Sequence, residues 1–135
     1  MPYVSPEEAL NLPALDLEAV AWEMGPPPWR KALIGTAATR WVLLHWPAGF
    51  RTVPHLHPRA EETFFVLRGR AHFRFGGEDQ DRVVGPGTLL VAPRGQLHAI
   101  GVPGPEPLLL LASVAPNEDA PDETIEYPAA PGVAL

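Results

Sequence analysis

The chain of 135 residues contains no cysteine. A disulfide framework, a thiolate nucleophile and a thiolate metal ligand are therefore excluded, and any metal site must be built from imidazole nitrogen and carboxylate oxygen. Positive charge is scarce as well: ten Lys plus Arg stand against sixteen Asp plus Glu, for a formal net charge of -6. With no basic run, that balance argues against a nucleic-acid partner, whose phosphates need a basic footprint. Long apolar runs are missing too. The longest, LLLLASVA from Leu108 to Ala115, is far short of the ~20 residues of a spanning helix. The opening MPYVSPEEALNL has neither the basic nor the apolar region of a secretion signal, so no membrane partner and a cytoplasmic location are expected. No phosphate-cradling loop is present, because GPG at 85–87 and GGED at 76–79 lack the lysine and the helix such a loop needs. Ser5 and Ser113 have no evident histidine and acid arrangement, which leaves serine-nucleophile hydrolysis unsupported.

Proline and glycine, by contrast, are plentiful: eighteen and twelve, scattered between apolar segments rather than arranged in a repeat. They punctuate short elements and favour strands and turns in one domain of this length. The best helix signal is Ser5-Pro6-Glu7-Glu8, with Ser5 as N-cap, Pro6 at the first helical position and Glu8 completing a capping box, in a helix ended by Pro13. Residues 14–30 read as an arm across the domain, anchored by Trp22 and Trp29. Strand character follows at 31–35, 40–46, 52–57, 62–67, 70–75, 81–84, 88–92, 96–100 and 107–115, separated by turn residues. Nine short strands without intervening helices predict an all-β antiparallel sandwich or barrel. The organisation expected is a helix and arm over 1–39, a core over 40–115 and an acidic, proline-rich tail over 116–135 in which Ile125 and Tyr127 pin part of the chain.

The chemistry concentrates in HLHPRAEE, residues 55–62. Residues two apart in a strand share a face, so His55 and His57 point into one volume, bracketed by Pro54 and Pro58 in a short or irregular strand. Alternation leaves open whether Glu61 or Glu62 faces the interior, because Phe64, Phe65, Val66 and Leu67 are all apolar. Further along, Gln96, His98 and Ile100 share a face. Three histidines and one glutamate would give a nitrogen-rich shell with open positions on an octahedral ion.

The order Gly49, five residues, His55, one, His57, four, Glu62, six, Gly69 resembles the first motif of the cupin superfamily. Gly87, five residues, Pro93, one, Gly95, two, His98 resembles its second motif, 17 residues further on. Val102 stands where that second motif often ends in asparagine. The resemblance implies a jelly-roll-like antiparallel β-barrel with a metal inside, a frequent homodimer, and His55, His57, Glu62 and His98 as the ligands, Glu62 rather than Glu61 among them.

From this site follows an expected cofactor of one divalent metal ion per chain (Fe, Mn, Zn, Ni, Co or Cu) and a small-molecule partner bound through oxygen. The ligand set looks like that of metal-dependent cupin dioxygenases, with an isomerase or a non-catalytic binding module as alternatives. Glu62 is the expected proton carrier and Gln96 a catalytic contact beside His98. His45 reads as an interface or surface residue with a smaller claim on the pocket, while His72, Glu61 and Arg94 read as solvent-facing. Trp41, Trp46, Phe50, Phe64 and Phe73 are core candidates, one or two of them lining the pocket mouth. An outer sheet face bearing Val42, Leu44 or Phe65 would need a cover, from the N-terminal arm or from a second copy.

Overall fold

The computed structural model describes residues 7–75, 81–117 and 125–126, the last two as backbone alone. In chain order the elements are α1 (Leu17–Met24), β1 (Trp29–Gly35), β2 (Arg40–Trp46), β3 (His55–Leu56), β4 (Glu61–Arg68), β5 (Ala71–Arg74), β6 (Arg82–Val84), β7 (Leu89–Ala92), β8 (Ala99–Gly101), β9 (Leu108–Ala115) and β10 (Ile125–Glu126). The strands form a five-stranded sheet in the order β1-β2-β9-β4-β7, a three-stranded sheet β6-β5-β8 and a pair β10-β3. Every pairing is antiparallel. Single bridges between Arg51 and Gly101 and between His55 and His98 tie the segment before β4 to the smaller sheet.

The two larger sheets enclose the main core. Val42, Leu44, Phe64, Val66, Leu108, Leu110 and Ala112 from the large sheet meet Ala71, Phe73 and Ile100 from the small one. The long apolar run of β9 has a physical reason: it is buried on both faces, as central strands covered on both sides are. Leu108 and Leu110 point into the main core, whereas Leu109 and Leu111 point outward into a second cluster with Leu33, Leu43 and Ala21. The cover on that outer face is α1, which contributes Leu17, Val20 and Ala21.

Several expectations from the sequence are corrected here. The helix lies at Leu17–Met24, not before Pro13; Asp16 is its N-cap, accepting from the Ala19 N–H at 3.2 Å. Glu7 and Glu8 sit in a turn, and Ser5 and Pro6 lie outside the described residues. An Asp cap competes well with a Ser cap, and the apolar positions that dock the helix follow Asp16 rather than Ser5. Residues 14–30 are thus helix, turn and the start of β1. Trp22 is 87% exposed and anchors nothing, while Trp29 packs in the second cluster and donates from Nε1 to the Gly25 carbonyl at 2.8 Å. Val42 and Leu44 face the interior, so the outer face is carried by Trp41 and Leu43 and is covered within the chain. Among the described residues the two sheets face one another without closing into a barrel.

The edge strand β1 is finished by the preceding segment. The Asn11 N–H donates to the Leu33 carbonyl at 2.8 Å, and the Asn11 Oδ1 accepts from the Gly35 N–H at 3.1 Å. These bonds occupy backbone groups that an edge strand leaves open. In the tail, β10 pairs Ile125 with Leu56 and Glu126 with His55; Tyr127 lies outside the described residues. No helix among the described residues is long and apolar enough to cross a membrane.

Candidate metal centre

Three strands and the turns beside them bring the titratable cluster together. His55 opens β3, His57 follows it, Glu62 is the second residue of β4, and His98 precedes β8. The strand expected at 52–57 is reduced to two residues, as its flanking prolines predict, and it is held by a reciprocal bridge. The His55 N–H donates to the His98 carbonyl at 3.0 Å and the His98 N–H to the His55 carbonyl at 2.9 Å. The Gly95 N–H donates to the His57 carbonyl at 2.8 Å, from a backbone φ of 76° that favours glycine. Glu62 is fixed from both sides, opposite Ala92 of β7 and Val114 of β9.

The four side chains are buried, and one candidate ligand atom from each lies within 4.8 Å of all the others. Glu62 Oε1 is 3.5 Å from His55 Nε2, 3.1 Å from His57 Nε2 and 2.9 Å from His98 Nε2. On the far side of two rings, His55 Nδ1 is 2.9 Å from the Val53 carbonyl and His98 Nδ1 is 2.9 Å from the Gln96 carbonyl. A carbonyl oxygen only accepts, so both Nδ1 atoms carry the proton and donate. Where such a ring is neutral, its Nε2 is a lone pair turned toward a carboxylate that itself only accepts.

Burial alone would raise the Glu62 carboxyl, but hydrogen bonds from the facing His55, His57 and His98 imidazoles outweigh burial and hold it well below the usual carboxylate range. Burial pushes the His55 imidazole down, assisted by His98 and opposed by Glu62. His55 Nε2 and Glu62 Oε2 are buried without a hydrogen-bond partner. Three ring nitrogens and a carboxylate oxygen converging at this range, with two polar atoms unsatisfied, are costly in a buried site unless a proton or a cation lies between them. The cluster therefore fits a divalent ion.

A cavity of about 410 Å³ opens from this cluster, reaching His55 and Glu62 at one end. Its walls include Leu44, Trp46, Phe50, Phe64 and Ile100, with Thr52, Val53 and, from the β1 end, Pro28, Trp29 and Arg30. Trp46 and Phe50 stack with ring centroids 4.4 Å apart. The other residues singled out in the sequence fall elsewhere. His45 lies on the outer face, edge-on to Trp29 at 5.2 Å, and does not line this cavity. His72 points away from the core toward Asp81 at 3.4 Å. Glu61 and Arg94 are exposed. Gln96 sits in the turn before His98 and meets the site through its main-chain carbonyl. Arg30 is the lining residue that sequence reading passed over. Its alternation with Ala32 is the one available signal, and only the pairing with β2 gives that signal a direction.

Three likenesses bear on this arrangement. The chain is 37% identical over 67 residues to germin-like protein 5-1 of Oryza sativa subsp. japonica, a match covering 46% of this chain and 29% of that protein; it thus spans under a third of this curated relative. A conserved double-stranded β-helix protein of Klebsiella pneumoniae subsp. pneumoniae superposes with a TM-score of 0.71 at 23% identity, over 86% of this chain and 92% of that one. The DMSP lyase DddQ of Ruegeria pomeroyi superposes with a TM-score of 0.64 at 28% identity, over 76% of this chain and 53% of that one. The family model described as the cupin domain matches residues 42–114. Those residues contain all four members of the cluster and most of both sheets, and the chain belongs to the cupin superfamily.

Proposed function

We propose that His55, His57, Glu62 and His98 hold one divalent metal ion, and that the protein is a metal-dependent enzyme acting on a small oxygen-bearing organic molecule in the adjoining cavity. The observation that carries this reading is the convergence of four buried ligand atoms within 4.8 Å of one another, two of the rings held by main-chain carbonyls behind them so that Nε2 faces the carboxylate. When bound, such an ion supplies Lewis-acid polarisation of a substrate oxygen and, if redox-active, access to dioxygen. Three neutral imidazoles and one carboxylate offset one unit of a divalent charge, so the centre favours anionic or bidentate oxygen donors. The chain's own residues do the rest. The Val53 and Gln96 carbonyls lock two ring orientations, the aromatic walls exclude water, and Glu62, on loosening from the ion, is the group available to hold a proton taken from substrate, at the Oε2 that has no hydrogen-bond partner. Gln96 acts in this scheme by orienting His98.

Dioxygenase chemistry is the first reading of the reaction, supported by the three-histidine, one-glutamate set. Isomerisation is its alternative within the same site. A binding module without turnover is favoured by one observation: among the described cavity-lining residues, the only ionisable groups are His55, Glu62 and Arg30. Metal analysis of protein purified without added metal, followed by oxygen-electrode assays over diketones, hydroxy-aromatic acids and thiols, separates the three. Iron or manganese near one per chain with substrate-dependent oxygen uptake is expected. Metal-free protein that also refuses added cobalt(II) would sink the metal centre, and a loaded protein without uptake would leave isomerase or binder.

A further inference from the structure

Arg30 is a charged residue on an apolar face. It pairs with Leu44 across β1 and β2, and so shares the inner side of the sheet with Ala32, Val42 and Leu44. It lines the same cavity as His55 and Glu62. Its ion-pair contact among the described residues is long, with Nη1 at 3.8 Å from Glu8 Oε1. The side chain is 34% exposed, yet its Nε and Nη2 atoms have no accessible surface, toward the cavity or toward bulk solvent, and no hydrogen-bond partner among the described residues. Those two donors lie on one edge of the planar guanidinium and present two parallel N–H bonds, the fork that a planar carboxylate accepts in bidentate fashion. A pair of buried donors left unmade calls for an explanation, and a ligand that accepts both supplies one.

We propose that Arg30 is the specificity-determining anchor of this cavity and that the substrate is a small organic monocarboxylic acid with an apolar body. Its carboxylate takes the Nε and Nη2 edge once the partly exposed Arg30 side chain turns that edge into the cavity, its body lies against Trp46, Phe50 and Ile100, and a second oxygen reaches toward His55 and Glu62. This deepens the proposed metal-centre reading and rests on it for the orientation of the ligand. A single carboxylate is the anion that fits. Arg30 is the one Lys or Arg among the described lining residues, so the wall offers one positive charge and few other donors for a phosphate dianion.

The test uses the full chain loaded with cobalt(II), with benzoate, phenylacetate, 3-phenylpropionate and 4-phenylbutyrate as probes beside the matching neutral amides. Binding is read by calorimetry and tryptophan fluorescence, metal loading by the visible cobalt spectrum, and folding by thermal melts, for wild type, R30M and R30K. A charge-assisted hydrogen-bond pair predicts that at least one acid binds about tenfold or more tightly than its amide. R30M should abolish that preference and R30K restore part of it, while the cobalt spectrum stays that of wild type. Equal binding of every acid and its amide, or a preference that survives in R30M, overturns the proposal, the latter because the metal rather than Arg30 would then hold the carboxylate. An Arg30-dependent preference in protein that takes up no cobalt supports the anchor and removes the metal reading alone.

Discussion

At the scale of single residues, the cluster is a balance of protonation states. Glu62 is the one carboxylate in it, so Glu62→Ala removes the charge that matches a cation and should weaken cobalt(II) binding by more than the roughly 10–100-fold that changes to supporting partners cost. Competitive titration against a chelator measures this, and unchanged affinity would take Glu62 out of the shell. In the metal-free protein the pH dependence of stability has a definite sign. Burial pushes His55 and His45 below their ordinary value of 6.5, with Arg68 assisting at His45. As pH falls through that value, the unfolded chain takes up protons that the folded chain refuses, and stability drops. Glu62 adds to the same trend lower down, because its folded carboxyl titrates well below the ordinary 4.5. Its contribution is full above that pH and is lost as pH falls through the folded value. Melting temperatures of metal-free protein should thus decline from pH 7 to 5 and more steeply below 4.5, and His45→Gln should flatten the upper part alone. Little of this was open to sequence reading: the two histidines of the first motif share a strand face by parity, but the carbonyls that set their tautomers, and the presence of Arg30 in the same cavity, depend on register.

At the scale of elements, turns decide whether the cluster converges. Gly69 joins β4 to β5 at φ 80°, and a Cβ there would stand 2.1 Å from the Pro107 carbonyl oxygen. Gly69→Ala therefore meets both an unfavourable backbone region and a backbone clash, and should destabilise by about 2–3 kcal/mol or more in urea unfolding. A neutral result would show that the turn re-forms without strain. The cap of α1 gives a milder case: Asp16→Ala should cost about 1 kcal/mol. The strands were legible in the sequence because apolar runs end at glycine and proline; β2 matches its expected span at both ends, and β4 and β9 fall within one residue of theirs. The helix was not. Ser5-Pro6 and Asp16 both carry cap chemistry, and the choice between them belongs to the apolar outer face of β2 and β9, which only a helix after Asp16 covers.

For the molecule as a whole, one strand carries two cores. Leu109 is fully buried beneath α1 on the outer face of the large sheet, while Leu108 and Leu110 fill the space between the sheets. Leu109→Ala should cost about 2–5 kcal/mol through lost burial and the cavity left behind. Leu89, 61% exposed on the edge strand β7, should cost no more than about 0.5 kcal/mol on the same change. Denaturant unfolding of the two variants compares them directly, and equal costs would mean that α1 does not cover the sheet in solution. The same layering explains why Val42 and Leu44 were assigned to the wrong side in the sequence. A strand buried on both faces has no polar alternation from which a direction can be read.

What the sequence determined alone was the chemistry on offer and the parts list. A chain without cysteine has imidazole and carboxylate for ligands, and two motifs that resemble those of the cupin superfamily point to His55, His57, Glu62 and His98, where strand alternation by itself left Glu61 and Glu62 open. Tertiary structure decided which faces look inward, where the helix sits, that His45 stands outside while Arg30 stands within, and that among the described residues the sheets face each other without closing. Those outcomes depend on pairing between segments far apart in the chain, and a one-residue change of register would send every side chain of a strand to the opposite face.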